Sequence, residues 1–170
     1  MNKTDDKGLD TLHVWQRALD FAKLVCKDIL PQLPAQEKFA LTDQLRRSVQ
    51  SVPANIAEGY GRFYFQESVR FCYIARGSLE ETFSHLTLAH RLEYISDPVY
   101  KNLNSEIQEL RRMLNGYIAF LKASKRGATE PGADTTIREE SPTYTTDLTS
   151  PDSQFPDSNP LLPNPFSPDI

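Results

Sequence analysis

Apolar residues recur along this chain in four separate stretches at alternating steps of three and four, and no stretch sustains the apolar/polar alternation of a strand. In the first, Trp15, Ala18, Ala22, Val25 and Ile29 step by 3, 4, 3 and 4, the spacing of a helix that turns one stripe toward a bundle. Pro31 and Pro34 close it, because proline lacks the N–H that a continuing helix must donate. The second stripe, Leu41, Leu45, Val49, Val52 and Ile56, predicts a helix from Ala35 or Thr42 to Glu58. Pro53 falls inside it and predicts a kink, at a cost of about 3 kcal/mol unless packing accommodates it. Gly59 and Gly61 supply the stop and a flexible turn. Cys72, Ala75, Leu79, Thr82, Leu86 and Ala89 carry the third helix, which ends near Glu93. Its alternation of small and large residues permits close helix approach. Asp97 as cap and Pro98 as first residue open the fourth, with Leu103, Ile107, Leu110, Leu114, Tyr117 and Leu121 as its stripe.

Four such helices with short links predict an all-α fold, an antiparallel up-down-up-down four-helix bundle over residues 9–125. Beyond it the character of the chain changes. Eight of its 12 prolines follow Gly127, and the charge divides at residue 125. The first part holds 17 Lys+Arg against 15 Asp+Glu, a net of +2, and the remainder 2 against 8, a net of −6. Residues 126–170 therefore read as an acidic, proline-rich disordered tail, whose apolar residues are too scattered to offset chain entropy. Within it, residues 159–166 (Asn-Pro-Leu-Leu-Pro-Asn-Pro-Phe) have the composition of a short docking motif. Plain linker with chance apolar residues is the simpler reading.

No apolar run approaches the roughly 18–20 residues of a membrane helix, and the first seven residues lack the apolar core of a signal peptide. Cys26 and Cys72 both sit in amphipathic patterns and build neither a disulfide framework nor a zinc cluster. The expectation is a soluble protein of the reducing cytoplasm, with no membrane partner. Bundles hold di-iron centres on Glu-x-x-His pairs, but Glu81 and His85 are spaced i, i+4 with no second copy. His85 reads as a surface residue, His90 as the edge of a stripe, and His13 as isolated. With no nucleophile constellation and no phosphate-cradling glycine loop, neither an enzyme, a metal nor a cofactor is expected.

The face of the second helix opposite its apolar stripe carries Arg47, Ser51, Ala54, Asn55 and Glu58 within about a third of the circumference. Small residues and fork-shaped hydrogen-bonding groups stand there in place of the usual Lys and Glu. Two readings compete, a solvated face capped by Glu58 and a protomer–protomer contact formed by Arg47, Ser51, Asn55 and Glu58, with Arg47 and Glu58 paired. Adjacent arginines, Arg46-Arg47 and Arg111-Arg112, and the turn Tyr60, Arg62, Phe63, Tyr64, Phe65 have the residue types of phosphate contact and base stacking. Arginine pairs on helices are also ordinary surface charge, and a body of +2 is a weak electrostatic footprint.

Leu12-His13-Val14-Trp15-Gln16-Arg17-Ala18 and Phe39-Ala40-Leu41-Thr42-Asp43-Gln44-Leu45-Arg46-Arg47-Ser48 resemble the four-helix-bundle family of ribosomal RNA intervening-sequence proteins. The most specific match is Ser51-Val52-Pro53-Ala54-Asn55-Ile56-Ala57-Glu58-Gly59-Tyr60-Gly61-Arg62, continued by Ile74-Ala75-Arg76-Gly77-Ser78-Leu79-Glu80-Glu81 and Ala89-His90-Arg91-Leu92. The resemblance covers roughly residues 9–122. It implies a small bacterial cytoplasmic protein assembled as a homo-pentamer, some members being encoded within insertions of large-subunit ribosomal RNA genes. It also implies kinship with accessory proteins of diversity-generating retroelements, which bind nucleic acid and a reverse transcriptase. Arg47, Asn55, Glu58 and Arg62 match motif positions. Where the family pattern opens its third helix with a Ser or Thr cap and a Lys-Glu pair, this chain has Phe63-Tyr64-Phe65-Gln66-Glu67, and the acidic tail has no counterpart. Two functions follow as expectations. The first is a non-catalytic oligomeric module bound to RNA or DNA through Arg46, Arg62, Arg111 and Arg112. The second is a protein-interaction scaffold for a polymerase-type partner.

Overall fold

A computed structural model describes residues 8–125 and 127–128. It contains four long helices: α1, His13–Leu24; α2, Leu41–Tyr60; α3, Phe65–Arg91; and α4, Asp97–Ser124. No strand occurs among the described residues. The acidic tail lies outside them.

Each stripe read from the sequence supplies the core of its helix. Leu45, Val49, Val52, Ile56, Cys72, Ala75, Leu79, Leu86, Ala89, Ile107 and Leu114 are completely buried. The first stripe is turned slightly from its expected phase. Val14 and Phe21 enter the core beside Ala18, Ala22, Val25 and Ile29, while Trp15 is only half-buried and packs at the edge. α4 shows the same adjustment at its end, with Ile118 buried and Tyr117 half-buried. These offsets arise because a heptad stripe drifts by about 20° per repeat on a straight helix.

The boundaries differ from expectation in ways that have physical causes. α1 gives way at Val25–Ile29 to a single wider π turn and then a tight turn over Leu30–Gln32, which absorbs Pro31. α2 begins at Leu41, after a separate short turn at Ala35–Glu37, and continues through Pro53 and past Gly59. Gly59 is therefore not a helix stop. It is buried, and a Cβ there would lie 2.9 Å from the Ser68 carbonyl oxygen and 3.0 Å from the Phe71 Cβ. It is glycine because α3 passes too close for any side chain. At the head of α4, Ser96 occupies the capping position in extended conformation and Asp97 is the first helical residue. The Asp97 carboxylate turns to His90 instead of capping the helix.

α2 and α3 meet along a polar seam. The Ser51 and Ser78 hydroxyls are 2.9 Å apart, those of Ser48 and Thr82 are 3.0 Å apart, and Asn55 Nδ2 donates to Ser51 Oγ at 2.9 Å. Thr82 Oγ1 also reaches the Ser78 carbonyl at 2.8 Å. Rising numbers on α2 match falling numbers on α3, so the two run antiparallel. Arg76 with Asn115 and Glu80 with Arg111 show the same for α3 and α4. α1 packs on α2 and on α4, where Arg17 bridges Glu106 and Glu109. The bond to Glu109 raises the Arg17 pKa above its ordinary value. No helix among the described residues is long and apolar enough to cross a membrane.

Candidate functional site

The outer face of α2 is resolved into local pairs. Arg47 bonds to Asp43, one turn earlier, at 3.1 Å, and Glu58 pairs with Arg62, one turn later. Both pairs have the i, i+4 spacing that brings side chains together on one helix face. Within one chain Arg47 and Glu58 thus hold different partners, Asp43 and Arg62. Ser51 and Asn55 are half-buried in the seam against α3, where they hold α2 in register.

The four arginines assigned to phosphate contact divide into two kinds. Arg111 is held by three short bonds: Nε and Nη2 donate to the two Glu80 carboxylate oxygens at 2.7 Å each, and Nη1 donates to Gln108 Oε1 at 2.7 Å. Its guanidinium lies 5.9 Å from the Phe83 ring centre, and the bonds to Glu80 raise its pKa. Arg62, paired with Glu58, rests 5.0 Å above the Phe71 ring. Both are committed to their own chain. Arg46 on α2 and Arg112 on α4 are exposed and have no ion pair among the described residues. The four stand on α2, the α2–α3 turn and α4, and make no bond to one another among the described residues.

Between α1 and α2 a groove of about 570 Å³ opens to solvent. Its walls are Trp15, Leu19 and Ala22 from α1 and Pro53, Ala54 and Ala57 from α2, with Lys23, Gln50 and Cys26 at the margins. Leu19 is 41% exposed. Three residues of the proline-bearing motif, Pro53, Ala54 and Ala57, thus line an apolar surface. Sequence periodicity passed over this groove because Trp15 was placed in the core and Leu19 in no stripe. Its signal was Trp15 and Leu19 at i, i+4 opposite small residues at Ala54 and Ala57.

A second pocket, of about 400 Å³, lies where the α2–α3 turn meets the end of α4. Tyr60, Phe63, Phe65, Tyr117, Phe120 and Leu121 surround it with Arg62 at its rim. Phe63 is 49% exposed and Phe120 64%.

His90 Nε2 lies 2.6 Å from Asp97 Oδ1 and its ring stacks on Tyr100 at 4.3 Å, which fixes the α3–α4 turn. That bond lowers the Asp97 pKa. His85 is half-buried, not on the open surface as expected, and stands 3.5 Å from Glu81. Among the described residues no three His, Cys, Asp or Glu side chains converge as metal ligands. Burial pushes the Cys72 thiol up to about 11, which disfavours the thiolate a nucleophile needs. Burial likewise pushes the Tyr117 hydroxyl up to about 12.

A helical bundle with a groove between its first two helices and an aromatic pocket at one end is the class of protein that the geometry defines. The model of the 23S rRNA-intervening sequence protein family matches residues 10–116, and the chain belongs to that family. It is also similar to a crystal structure of a protein of unknown function from the S23 ribosomal protein family of Bacteroides thetaiotaomicron. The identity is 28% and the TM-score 0.57, over 62% of this chain and 97% of that one. No curated protein matches.

Proposed function

We propose that the chain is a non-catalytic bundle that assembles with copies of itself through the α1–α2 groove, in the pentamer that its family resemblance implies. The assembly then serves as an interaction platform for a ribonucleoprotein or polymerase-type partner. The observation that carries this reading is the groove itself, a solvent-open apolar surface lined by Trp15, Leu19, Pro53, Ala54 and Ala57. Contiguous apolar surface of this kind marks contact sites on small domains. Ala54 and Leu19 are exposed, so charged replacements there leave the core intact. The test is native mass: Ala54→Glu and Leu19→Glu each convert the assembly to a 19.3 kDa monomer with unchanged helix content. Retention of the full assembly by both variants refutes the reading.

Nucleic-acid binding is the second reading, supported by Arg46 and Arg112, which are exposed and free of carboxylates among the described residues. It predicts that Arg46→Gln with Arg112→Gln lowers RNA and DNA affinity at low salt. Arg62→Gln and Arg111→Gln leave affinity nearly unchanged, since those side chains are bonded to Glu58 and Glu80. Equal loss from both pairs removes this division of roles.

A further inference from the structure

We propose that the α1–α2 groove is filled by Phe39 of a neighbouring copy, a knob before α2 of one chain entering the groove of the next, head to tail. The inference rests on the self-assembly reading above and names the residue that occupies its groove. Three observations lead to it.

First, Phe39 is presented for contact. It is 87% exposed, more than any other large apolar residue among those described. It lies in the turn of residues 38–40, between the short turn Ala35–Glu37 and the start of α2 at Leu41. That turn is braced from two sides. Glu37 Oε2 accepts from the Leu41 N–H at 3.3 Å, and Glu37 Oε1 accepts from the Tyr94 hydroxyl at 3.1 Å. Leu41 itself is buried. A ring held in water on a braced turn is pre-organised, so little freedom is lost when it is covered.

Second, Phe39 is out of reach of the groove in its own chain. On α2 the groove begins at Gln50, nine positions beyond Leu41, and its apolar wall of Pro53, Ala54 and Ala57 lies 12 to 16 positions beyond. At 1.5 Å per residue these are about 14 Å and about 18–24 Å along the helix axis, further than a phenylalanine side chain extends. A ring that enters the groove therefore comes from another copy.

Third, the groove needs a convex partner. Two grooves face to face leave a void whose lining atoms lose their contacts, and Leu19, at 41%, is the large wall residue that such a contact would cover. Phe39 brings much more, about 130–220 Å², which is 87% of the roughly 150–250 Å² an aromatic buries. Ala40 beside it shares a pocket wall with Leu88 and Leu92, which are 47% and 45% exposed. The ring thus belongs to a wider apolar patch, and with its polar margin that patch approaches the about 800 Å² a side of a stable contact. Knob and groove are different surfaces and each copy carries both. The contact is therefore heterologous and passes from copy to copy until a ring closes.

Crosslinking of the full chain tests this, because Cys26 stands half-exposed at the groove margin. Lys38→Cys places a second accessible thiol beside an intact Phe39. A short bis-maleimide, added where native mass shows the assembly, gives covalent species at successive multiples of 19.3 kDa. The ladder is lost in Lys38→Cys/Cys26→Ser. In parallel, Phe39→Ala weakens association on the order of 30-fold or more, as loss of a buried aromatic anchor does, with unchanged helix content. No product, or products that stop at the dimer, overturn the head-to-tail contact. Undiminished association of Phe39→Ala also overturns it. If Leu19→Glu and Ala54→Glu still dissociate in that case, the groove contact stands and only its occupant is wrong; a full assembly in all three variants removes both.

Discussion

Gly59→Ala probes how closely α2 and α3 approach. In the interior of a helix, alanine is favoured over glycine by about 1 kcal/mol, because glycine gives up more backbone freedom on folding. At position 59 that gain is opposed. The new methyl would sit 2.9 Å from the Ser68 carbonyl oxygen and 3.0 Å from the Phe71 Cβ. The first obstacle is backbone, so relief requires α3 to shift as a unit. Overpacking of a tight contact costs about 1–3 kcal/mol, leaving a net destabilisation of about 1 kcal/mol. Gly77 and Gly116 provide internal controls: both are exposed on helices, and a Cβ at either meets nothing within 4 Å. Alanine at those positions stabilises by about 0.5–1 kcal/mol. Urea unfolding at one fixed protein concentration reads all three, since association makes stability concentration-dependent. With slopes of about 1–3 kcal/mol/M, the midpoints of Gly59→Ala and Gly77→Ala differ by about 0.5–2 M. If Gly59→Ala stabilises as Gly77→Ala does, the close α2–α3 contact is refuted.

Thr82→Val removes a fully buried hydroxyl that meets both Ser48 and the Ser78 carbonyl. Chemical denaturation should show a loss of about 1–2 kcal/mol, and a neutral result would mean the seam adds nothing to α2–α3 pairing. A double-mutant cycle on Arg111→Gln and Glu80→Gln should give a coupling of about 0.5–1 kcal/mol, as fits a partly exposed but bidentate pair; zero coupling contradicts the geometry. Asp97 has its pKa lowered below the usual 3.8 by the bond to His90. A depressed carboxyl contributes stability above its unfolded pKa and loses it as pH falls through the folded one. Wild type should therefore lose more stability than Asp97→Asn between about pH 5 and pH 2, and parallel pH profiles would show that the turn contact adds nothing.

The core was legible because burial and helical spacing are one signal: Leu45, Val49, Val52 and Ile56 are apolar where a helix must face its neighbours. What the stripe hid was local. Gly59 has the composition of a stop, yet its reason is the Ser68 carbonyl, a contact that no window along the chain contains. Asp97 looks like a cap, but a histidine seven residues earlier, brought back by the turn, claims its carboxylate. The partners of the candidate arginines were hidden for the same reason. Arg62 and Arg111 carry the charge that phosphate recognition needs, but Glu58 and Glu80 occupy them, one through an i, i+4 pair and one across helices. The groove was hidden by a single misplacement. Counting Trp15 as core removed one wall of the surface that Pro53, Ala54 and Ala57 complete.

Cys26 allows the groove contact to be measured without altering it. Its thiol is half-exposed at the groove margin, whereas Cys72 is buried and serves as the silent control. Thiol labelling of the full-length chain would be followed at a series of protein concentrations, with native mass recorded on the same samples. The groove contact predicts that Cys26 reacts readily in dilute monomer and slows in step with the rise in mass, while Ala54→Glu keeps it fast throughout. A Cys26 that labels at the monomer's rate inside a fully formed assembly would place the contact elsewhere and contradict the account.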